Sequence, residues 1–206
     1  MLKDLDPKEV HDHFEEYEAT FLHVYLDSKG FPTIGRGCLI TPPFVPAEYG
    51  EWVMPDGSPA RIVDVLDDFD RVMKDARWQQ THGNAQDHAA PYYAKLCSTR
   101  LTQASAEALF LARLYKEEIR LVQLYGKSYE TAPLPAQFGT LDMAYSMGAD
   151  RLRALAVDGG FPAWSEAFEK RQYAKCAVES LREPGNASFD ARNKWTADKF
   201  MEAENV

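Results

Sequence analysis

The chain has 206 residues, of which 45% are hydrophobic and 27% are charged, a composition typical of a soluble globular protein. This length fits one large domain or two small lobes and can bury a sizeable core. The net charge of -9, from 23 basic and 32 acidic side chains, argues against nonspecific nucleic-acid binding, which needs Lys and Arg to neutralise phosphates. No apolar run approaches the ~20 residues of a membrane span.

The first residues, 1–6, lack the charged-then-apolar pattern of a signal peptide, so we expect synthesis in the cytoplasm. If the substrate lies outside the cytoplasm, another mechanism must then deliver the protein to it. Three cysteines lie far apart without a Cys-x-x-Cys pair, which favours buried thiols over a zinc or thioredoxin-type site; they are Cys38, Cys97 and Cys176. The histidines show no helical i, i+4 metal pair. We therefore expect no metal and no cofactor.

The first predicted helix begins at Pro7, with Asp6 as its N-cap and Glu9 placed for a variant of the capping box. Its apolar face repeats with helical spacing at Val10, Phe14, Tyr17 and Phe21. Glu18 follows Phe14 by one turn. This acid is therefore expected near the carboxyl end of the helix, at the edge of the apolar face.

A β-hairpin is predicted next, with a strand over 21–26 and a turn over 27–30 that Asp opens and Gly closes. The return strand, 31–37, contains Pro32, which cannot donate a ladder hydrogen bond. This strand is therefore expected to be short or at a sheet edge. Gly35 is expected to leave room for the close approach of backbone or ligand.

The rest of the chain is predicted to be mostly helical. Residues 42–60 are rich in Pro and indicate a loop with a hairpin turn at Asp56-Gly57. Helical spacing predicts further helices over 62–78, 102–125, 133–148, 162–171, 173–182 and 188–203. In the second of these, the predicted apolar face is Ala108, Leu111, Tyr115, Ile119 and Val122. This order of elements predicts an α+β protein with its strands near the N-terminus.

Cleavage of a glycosidic bond needs a proton donor and a second carboxylate that handles water or the sugar cation. Apolar neighbours and the negative end of the helix dipole disfavour the charged form of Glu18, which suits a proton donor. Asp27 in an open turn suits a charged base or stabiliser, and Thr33 can lie beside it across the hairpin and help hold a water. All three residues also fit their local structure without catalysis, since Asp opens turns and Thr favours strands.

The spacing of these residues resembles the catalytic triad of T-even-phage-type lysozymes. Eight residues separate Glu18 from Asp27, five separate Asp27 from Thr33, and Ile-Gly-Arg-Gly follows over 34–37. The segment 134–148 is similar to the family helix that lines the cleft, and Arg192-Asn193 resembles part of the family's C-terminal helix. The resemblance implies a mostly helical lysozyme-like fold with a small N-terminal β-hairpin lobe and a cleft between two lobes. Those lobes would be 18–100 and 101–206, joined by residues 1–17 in a single domain.

The resemblance implies a muramidase, which hydrolyses the β-1,4 bond between N-acetylmuramic acid and N-acetylglucosamine with inversion. Glu18 would protonate the leaving oxygen, and Asp27 and Thr33 would position and activate water. Contacts to the glycan strand are expected from Phe31, Gly35, Tyr145 and Ser146. For Tyr145 the alternative is core packing, and for Asp142 it is a polar group satisfied by neighbouring backbone.

With its long insertion, 42–100, the Leu-Pro-x-Gln motif at 134–137 and Arg192-Asn193, the chain resembles lysozyme-like toxin domains of bacterial secretion systems and pesticin more than minimal phage lysins. The insertion could extend the β-containing lobe, cover the cleft or dock a partner. A monomer acting in the periplasm or cell wall is expected, delivered by a secretion machine or a holin, with an immunity protein as a possible partner. Two other hypotheses stay open: a binding module of the same fold that does not cut, and a hydrolase of another polysaccharide such as chitosan.

Overall fold

A computed structural model describes residues 2–27, 29–40, 46–81, 88–182 and 187–206. This part of the chain is α+β, as predicted. Its helices are α1 (Pro7–Tyr17), α2 (Ile62–Thr81), α3 (Gln103–Tyr125), α4 (Lys127–Glu130), α5 (Leu134–Met147), α6 (Ala149–Arg153), α7 (Pro162–Glu169), α8 (Tyr173–Glu179) and α9 (Ala187–Glu204). Its strands are β1 (Phe21–Leu26), β2 (Pro32–Gly35), β3 (Cys38–Leu39), β4 (Trp52–Val53) and β5 (Arg100–Leu101). None of the described helices is long and apolar enough to cross a membrane.

The chain divides into two compact units. The first, which we call the β unit, comprises 14–112, and the second, the helical unit, comprises 1–13 and 113–206. Both α1 and α3 contribute residues to each unit, so the boundaries fall inside helices. The predicted lobe of 18–100 therefore lacks the last turn of α1 and the first turns of α3, which belong to the β unit.

The start of α1 follows the sequence closely. Asp6 Oδ1 accepts a hydrogen bond from Lys8 N at 2.9 Å, which confirms the predicted N-cap. Glu9 does not reach back in a capping box, because its Oε1 accepts a hydrogen bond from Lys199 Nζ at 2.8 Å. The ion pair between Glu9 on α1 and Lys199 on α9 thus replaces the predicted capping-box hydrogen bond.

The β unit contains a three-stranded antiparallel sheet in the order β1-β2-β3. The strand that contains Pro32 is short, with four residues, which is one of the two predicted alternatives; it lies in the centre of the sheet and not at its edge. Pro32 fits there as the first residue of the strand, where its carbonyl accepts a hydrogen bond from Ile40 N at 2.8 Å. Gly35 and Gly37 adopt positive φ values of 60° and 71°, which turn the chain back into the short strand β3.

The described part of the insertion packs into the core of the β unit. One cluster of buried side chains combines the N-terminal sheet with the insertion: Val24, Ile34, Trp52, Val65, Val72, Tyr93 and Leu101. The insertion also bonds directly to β1, where His23 Nε2 donates to Ala90 O at 3.0 Å. Burial lowers the pKa of His23. The described residues 46–81 and 88–100 therefore extend the β unit.

A buried carboxylate, that of Asp68, joins helix α2 to the last residues of the insertion. Asp68 on α2 accepts hydrogen bonds from Thr99 N at 2.7 Å and Thr99 Oγ1 at 2.6 Å. Its second oxygen accepts from Ser98 N at 2.9 Å and Ser98 Oγ at 3.0 Å. Since two residues of one short segment satisfy both oxygens, Asp68 fixes α2 to the chain that enters β5.

The helical unit is built around α5, which is buried on all sides over 136–145. Gly139 lets α9 approach this helix closely, because a Cβ at this position would lie only 3.3 Å from the Phe200 ring. A cluster of aromatic rings lies beside it, in which Trp164 stacks on Phe168 with centroids 5.1 Å apart. A helix without a polar face fits this central position.

The predicted apolar face of α3 was wrong. Three of its members, Leu111, Tyr115 and Ile119, are 40–59% exposed, whereas Phe110 and Leu114 are buried. Both faces carry apolar residues at helical spacing, so periodicity alone did not select between them. Packing selected the face that also contains Ala106, Leu121 and Tyr125.

Candidate active site

Glu18 lies where the sequence predicts, directly after the last residue of α1. Its N–H donates to Phe14 O at 2.9 Å, so the backbone continues the last helical turn. The side chain is half-buried, Phe14 is fully buried and Phe21 is half-buried. Glu18 therefore lies at the edge of the buried apolar residues, as the sequence predicts.

Asp27 opens the turn between β1 and β2. Its Oδ1 accepts hydrogen bonds from Lys29 N at 2.9 Å and Phe31 N at 2.8 Å, and its carbonyl accepts from Gly30 N at 2.9 Å. Among the described residues, Oδ2 has no hydrogen-bond or ion-pair partner. One oxygen of Asp27 therefore builds the turn, while the other can accept a hydrogen bond from water or a ligand.

The sheet register relates Asp27 to Thr33. Tyr25 pairs with Thr33 and Leu26 with Pro32, so the same register continues to Asp27 opposite Phe31. Residues that are paired or two apart across an antiparallel ladder share one face. Asp27 and Thr33 are thus diagonal neighbours on the same face, as the sequence predicts. Thr33 is only 1% exposed, and its Oγ1 donates to Phe31 O at 2.9 Å.

Strand β1 separates the two acids. Glu18 precedes its first residue by three positions, and Asp27 follows its last residue directly. A straight strand of six residues spans about 17 Å. An irregular register between Phe21 and Tyr25 marks a bulge, which bends a strand. The two acids therefore lie beyond opposite ends of β1 along the chain.

Two of the predicted glycan contacts lie in the same hairpin. Phe31 is 54% exposed and follows the turn that Asp27 opens, so its ring is accessible for stacking on a sugar. Gly35 is buried, and its φ of 60° strains any other residue. A Cβ on Gly35 would meet Ala106 at 3.9 Å, an ordinary contact. Backbone conformation, rather than access for a ligand, accounts for this glycine.

The other two predicted contacts belong to the helical unit. Tyr145 has no exposed surface, and the Arg113 guanidinium lies 4.1 Å from its ring centroid. Its burial favours the core-packing alternative over contact with a substrate. Ser146 is half-buried, donates to Asp142 O at 2.9 Å and accepts from Arg182 Nη1 at 2.9 Å. The hydroxyl of Ser146 is thus already engaged within its own unit.

Asp142 is the centre of a buried ionic cluster rather than a group satisfied by backbone. Its carboxylate accepts hydrogen bonds from Arg182 Nη1 at 2.7 Å, Arg192 Nε at 2.9 Å and His13 Nε2 at 2.8 Å. Trp195 covers the cluster, because its ring stacks on His13 at a centroid distance of 3.6 Å. Burial by itself would raise the pKa of Asp142, but the two guanidinium groups and His13 hold it well below its usual range.

Sequence reasoning missed two buried arginines, Arg182 and Arg36. The signal for Arg182 was Asp142, an acid in the middle of a mostly apolar helix, because a buried carboxylate requires a cation. The signal for Arg36 was its position between two glycines at the end of β2. Arg36 is 3% exposed, and its guanidinium lies 4.4 Å from the centroid of the Phe110 ring.

The cysteines are also structural. Burial raises the pKa of Cys97 and Cys176 to about 12, whereas Cys38 is half-buried.

Comparison with known proteins adds nothing to the site, since no protein-family model and no curated protein matches the chain.

Proposed function

We propose that this protein is a muramidase of lysozyme-like fold that hydrolyses the β-1,4 bond between N-acetylmuramic acid and N-acetylglucosamine in peptidoglycan. The observation that carries the proposal is the hairpin geometry. Asp27 and Thr33 share one face of the sheet, and Asp27 Oδ2 has no hydrogen-bond partner among the described residues. The exposed Phe31 belongs to the same hairpin, and Glu18 precedes the other end of β1. The spacing that resembles lysozymes supports the same three residues.

In the proposed reaction, Glu18 donates its proton to the leaving glycosidic oxygen. Asp27 Oδ2 accepts a proton from a water molecule, which attacks the anomeric carbon from the opposite side of the sugar. The hydroxyl of Thr33 donates to Phe31 O, and its lone pairs remain able to accept a hydrogen bond from that water. The resemblance to lysozymes implies inversion, so the expected first product of the β-linked glycan is the α anomer.

The primary test compares the release of reducing sugar from purified peptidoglycan by wild type and Glu18→Gln. We expect a loss of about 10²–10⁴-fold, the usual contribution of a general acid. Glu16→Gln is the matched control, because Glu16 is an exposed glutamate two residues earlier. Equal rates for wild type and Glu18→Gln would disprove the assignment.

Asp27 has a control of the same chemistry. Asp56 also lies in a hairpin turn, where its Oδ1 accepts from Ser58 N at 2.9 Å and Ser58 Oγ at 2.6 Å. Asn can build either turn, so Asp27→Asn and Asp56→Asn should fold alike. Only Asp27→Asn should lose activity, by about 10²-fold or more. A similar activity in the two variants would leave Asp27 with a structural role alone.

The burial of Thr33 favours one second candidate, a glycan-binding module of the same fold. A buried hydroxyl that already donates to Phe31 O does not need a catalytic role. This candidate predicts that the wild-type protein sediments with purified peptidoglycan but releases no reducing ends, even at high protein concentration. It also predicts that Phe31→Ala weakens the binding and that Glu18→Gln does not.

A further inference from the structure

Arg36 is a buried cation in the β unit for which the proposed reaction gives no role. It follows the last residue of β2 and lies between Gly35 and Gly37, both at positive φ. Only 3% of its surface is exposed. Removing a charged group from water is costly unless specific contacts compensate it. The contacts of Arg36 therefore show what the side chain stabilises.

Two contacts of this side chain connect it to neighbouring elements of the β unit. Its Nε donates to Thr20 Oγ1 at 3.1 Å, which agrees with the pairing of Phe21 and Gly35 one residue further along the ladder. Its guanidinium lies 4.4 Å from the centroid of the Phe110 ring on α3. Arg36 thus fixes the chain before β1 to the end of β2 and to α3.

These contacts lie on both sides of Glu18. Thr20 follows Glu18 by two residues, and Phe110 meets the ring of Phe14 edge to face, with centroids 5.4 Å apart. Phe14 is the residue whose carbonyl accepts the hydrogen bond from Glu18 N at 2.9 Å. Arg36 therefore stabilises the chain on both sides of Glu18. It bonds to Thr20 directly, and it contacts Phe14 indirectly through the Phe110 ring.

We propose that Arg36 is a positioning residue that fixes the Glu18 carboxyl group in the orientation needed to protonate the leaving oxygen. This inference rests on the proposed muramidase function. Arg suits the role better than Lys, because a planar guanidinium can lie flat on an aromatic ring while its edge donates a hydrogen bond in a fixed direction. The effect is expected on the chemical step, since Arg36 is buried beneath the hairpin and has almost no surface for a glycan.

The test measures kcat and KM on soluble peptidoglycan fragments, per mole of folded enzyme as determined by near-ultraviolet circular dichroism. Arg36→Met should lower kcat by about 10–100-fold, because a displacement of about 1 Å can cost that much, and KM should change less than about threefold. Arg36→Lys should recover part of the rate. Thr20→Ser keeps the acceptor and should match wild type, whereas Thr20→Val should lower kcat.

A double variant and a control separate positioning from general stability. If Arg36 acts through Thr20, the loss in Arg36→Met with Thr20→Val should be clearly smaller than the product of the single losses. Arg153→Met is the control, because Arg153 also covers a ring, 4.9 Å from the centroid of Tyr125 in the helical unit. Its kcat should stay within about twofold of wild type.

The outcomes distinguish this inference from the function on which it rests. Wild-type kcat in folded Arg36→Met or Thr20→Val, with Glu18→Gln inactive, would overturn the positioning role and leave the muramidase proposal standing. Activity in Glu18→Gln would overturn both. If Arg36→Met does not fold, Arg36→Lys and Thr20→Val decide, since both keep most of the buried volume; lowered stability with unchanged kcat in both would make Arg36 purely structural.

Discussion

Replacing Asp142 by Asn should destabilise the helical unit strongly. The substitution keeps the shape of the side chain and removes its charge. The Arg182 and Arg192 side chains would then stay buried, at 2% and 6% exposure, without the carboxylate between them. Removing one partner of a buried ion pair costs about 3–5 kcal/mol. We expect a loss of this size in the free energy of unfolding at pH 7.

The pH dependence gives a second, independent measure. The pKa of Asp142 in the folded protein lies below its value of about 3.9 in the unfolded chain. The unfolded state therefore binds the proton first, and the stability from Asp142 is fully present above about pH 4 and falls as the pH drops toward the folded pKa. Below about pH 4, the advantage of wild type over Asp142→Asn should shrink by about 1.4 kcal/mol per pH unit.

The assay is urea unfolding followed by circular dichroism and tryptophan fluorescence, at pH 7 and at steps down to pH 3. Asp198→Asn is the matched control, since Asp198 is an exposed aspartate of α9 that pairs with Lys194 one turn away. It should change the stability by less than about 0.5 kcal/mol. A loss below about 1 kcal/mol for Asp142→Asn, or a difference from wild type that does not vary with pH, would refute the reasoning.

Three further predictions test the packing and the proposed role. Leu114→Ala should cost about 2–5 kcal/mol, because Leu114 is fully buried, whereas Ile119→Ala should cost less than about 1 kcal/mol by the same urea assay; similar costs would contradict the assigned face of α3. Iodoacetamide at pH 8 should modify Cys38 before Cys97 and Cys176, whose raised pKa values keep them protonated; mass spectrometry of the native protein detects the order. If the muramidase proposal is right, expression directed to the bacterial periplasm should be toxic and cytoplasmic expression harmless, and growth without lysis in both would count against wall cleavage.

Much of the local structure was predictable because neighbouring residues determine it. Strand β1 has the predicted bounds of 21–26, and Asp6 caps α1. The predicted turn from Asp27 to Gly30 forms and is closed by a hydrogen bond from Gly30 N to Asp27 O, since the Asp side chain and the glycine both favour it without help from the rest of the fold. The candidate acids are placed by these same local signals, at the end of a helix and at the opening of a turn.

Where the local sequence allowed more than one structure, long-range contacts selected the one that formed. α3 carries apolar residues on two faces, and only packing selected the one with Phe110 and Leu114. The third strand of the sheet required a reversal through Gly35 and Gly37, which the sequence indicated only as glycines near a predicted strand.

The sequence by itself determined the order of elements and the hairpin that carries Asp27 and Thr33 on one face, because alternation and turn chemistry act over a few residues. Only the tertiary structure decided which side chains neutralise the buried charges. Asp142 pairs with Arg192, 50 positions later in the chain, and the Arg36 guanidinium, which follows a strand, lies on the Phe110 ring of α3. Such partners are selected by the cost of leaving a charge unpaired in the core, which depends on what the folded chain brings close in space and not on spacing along the sequence.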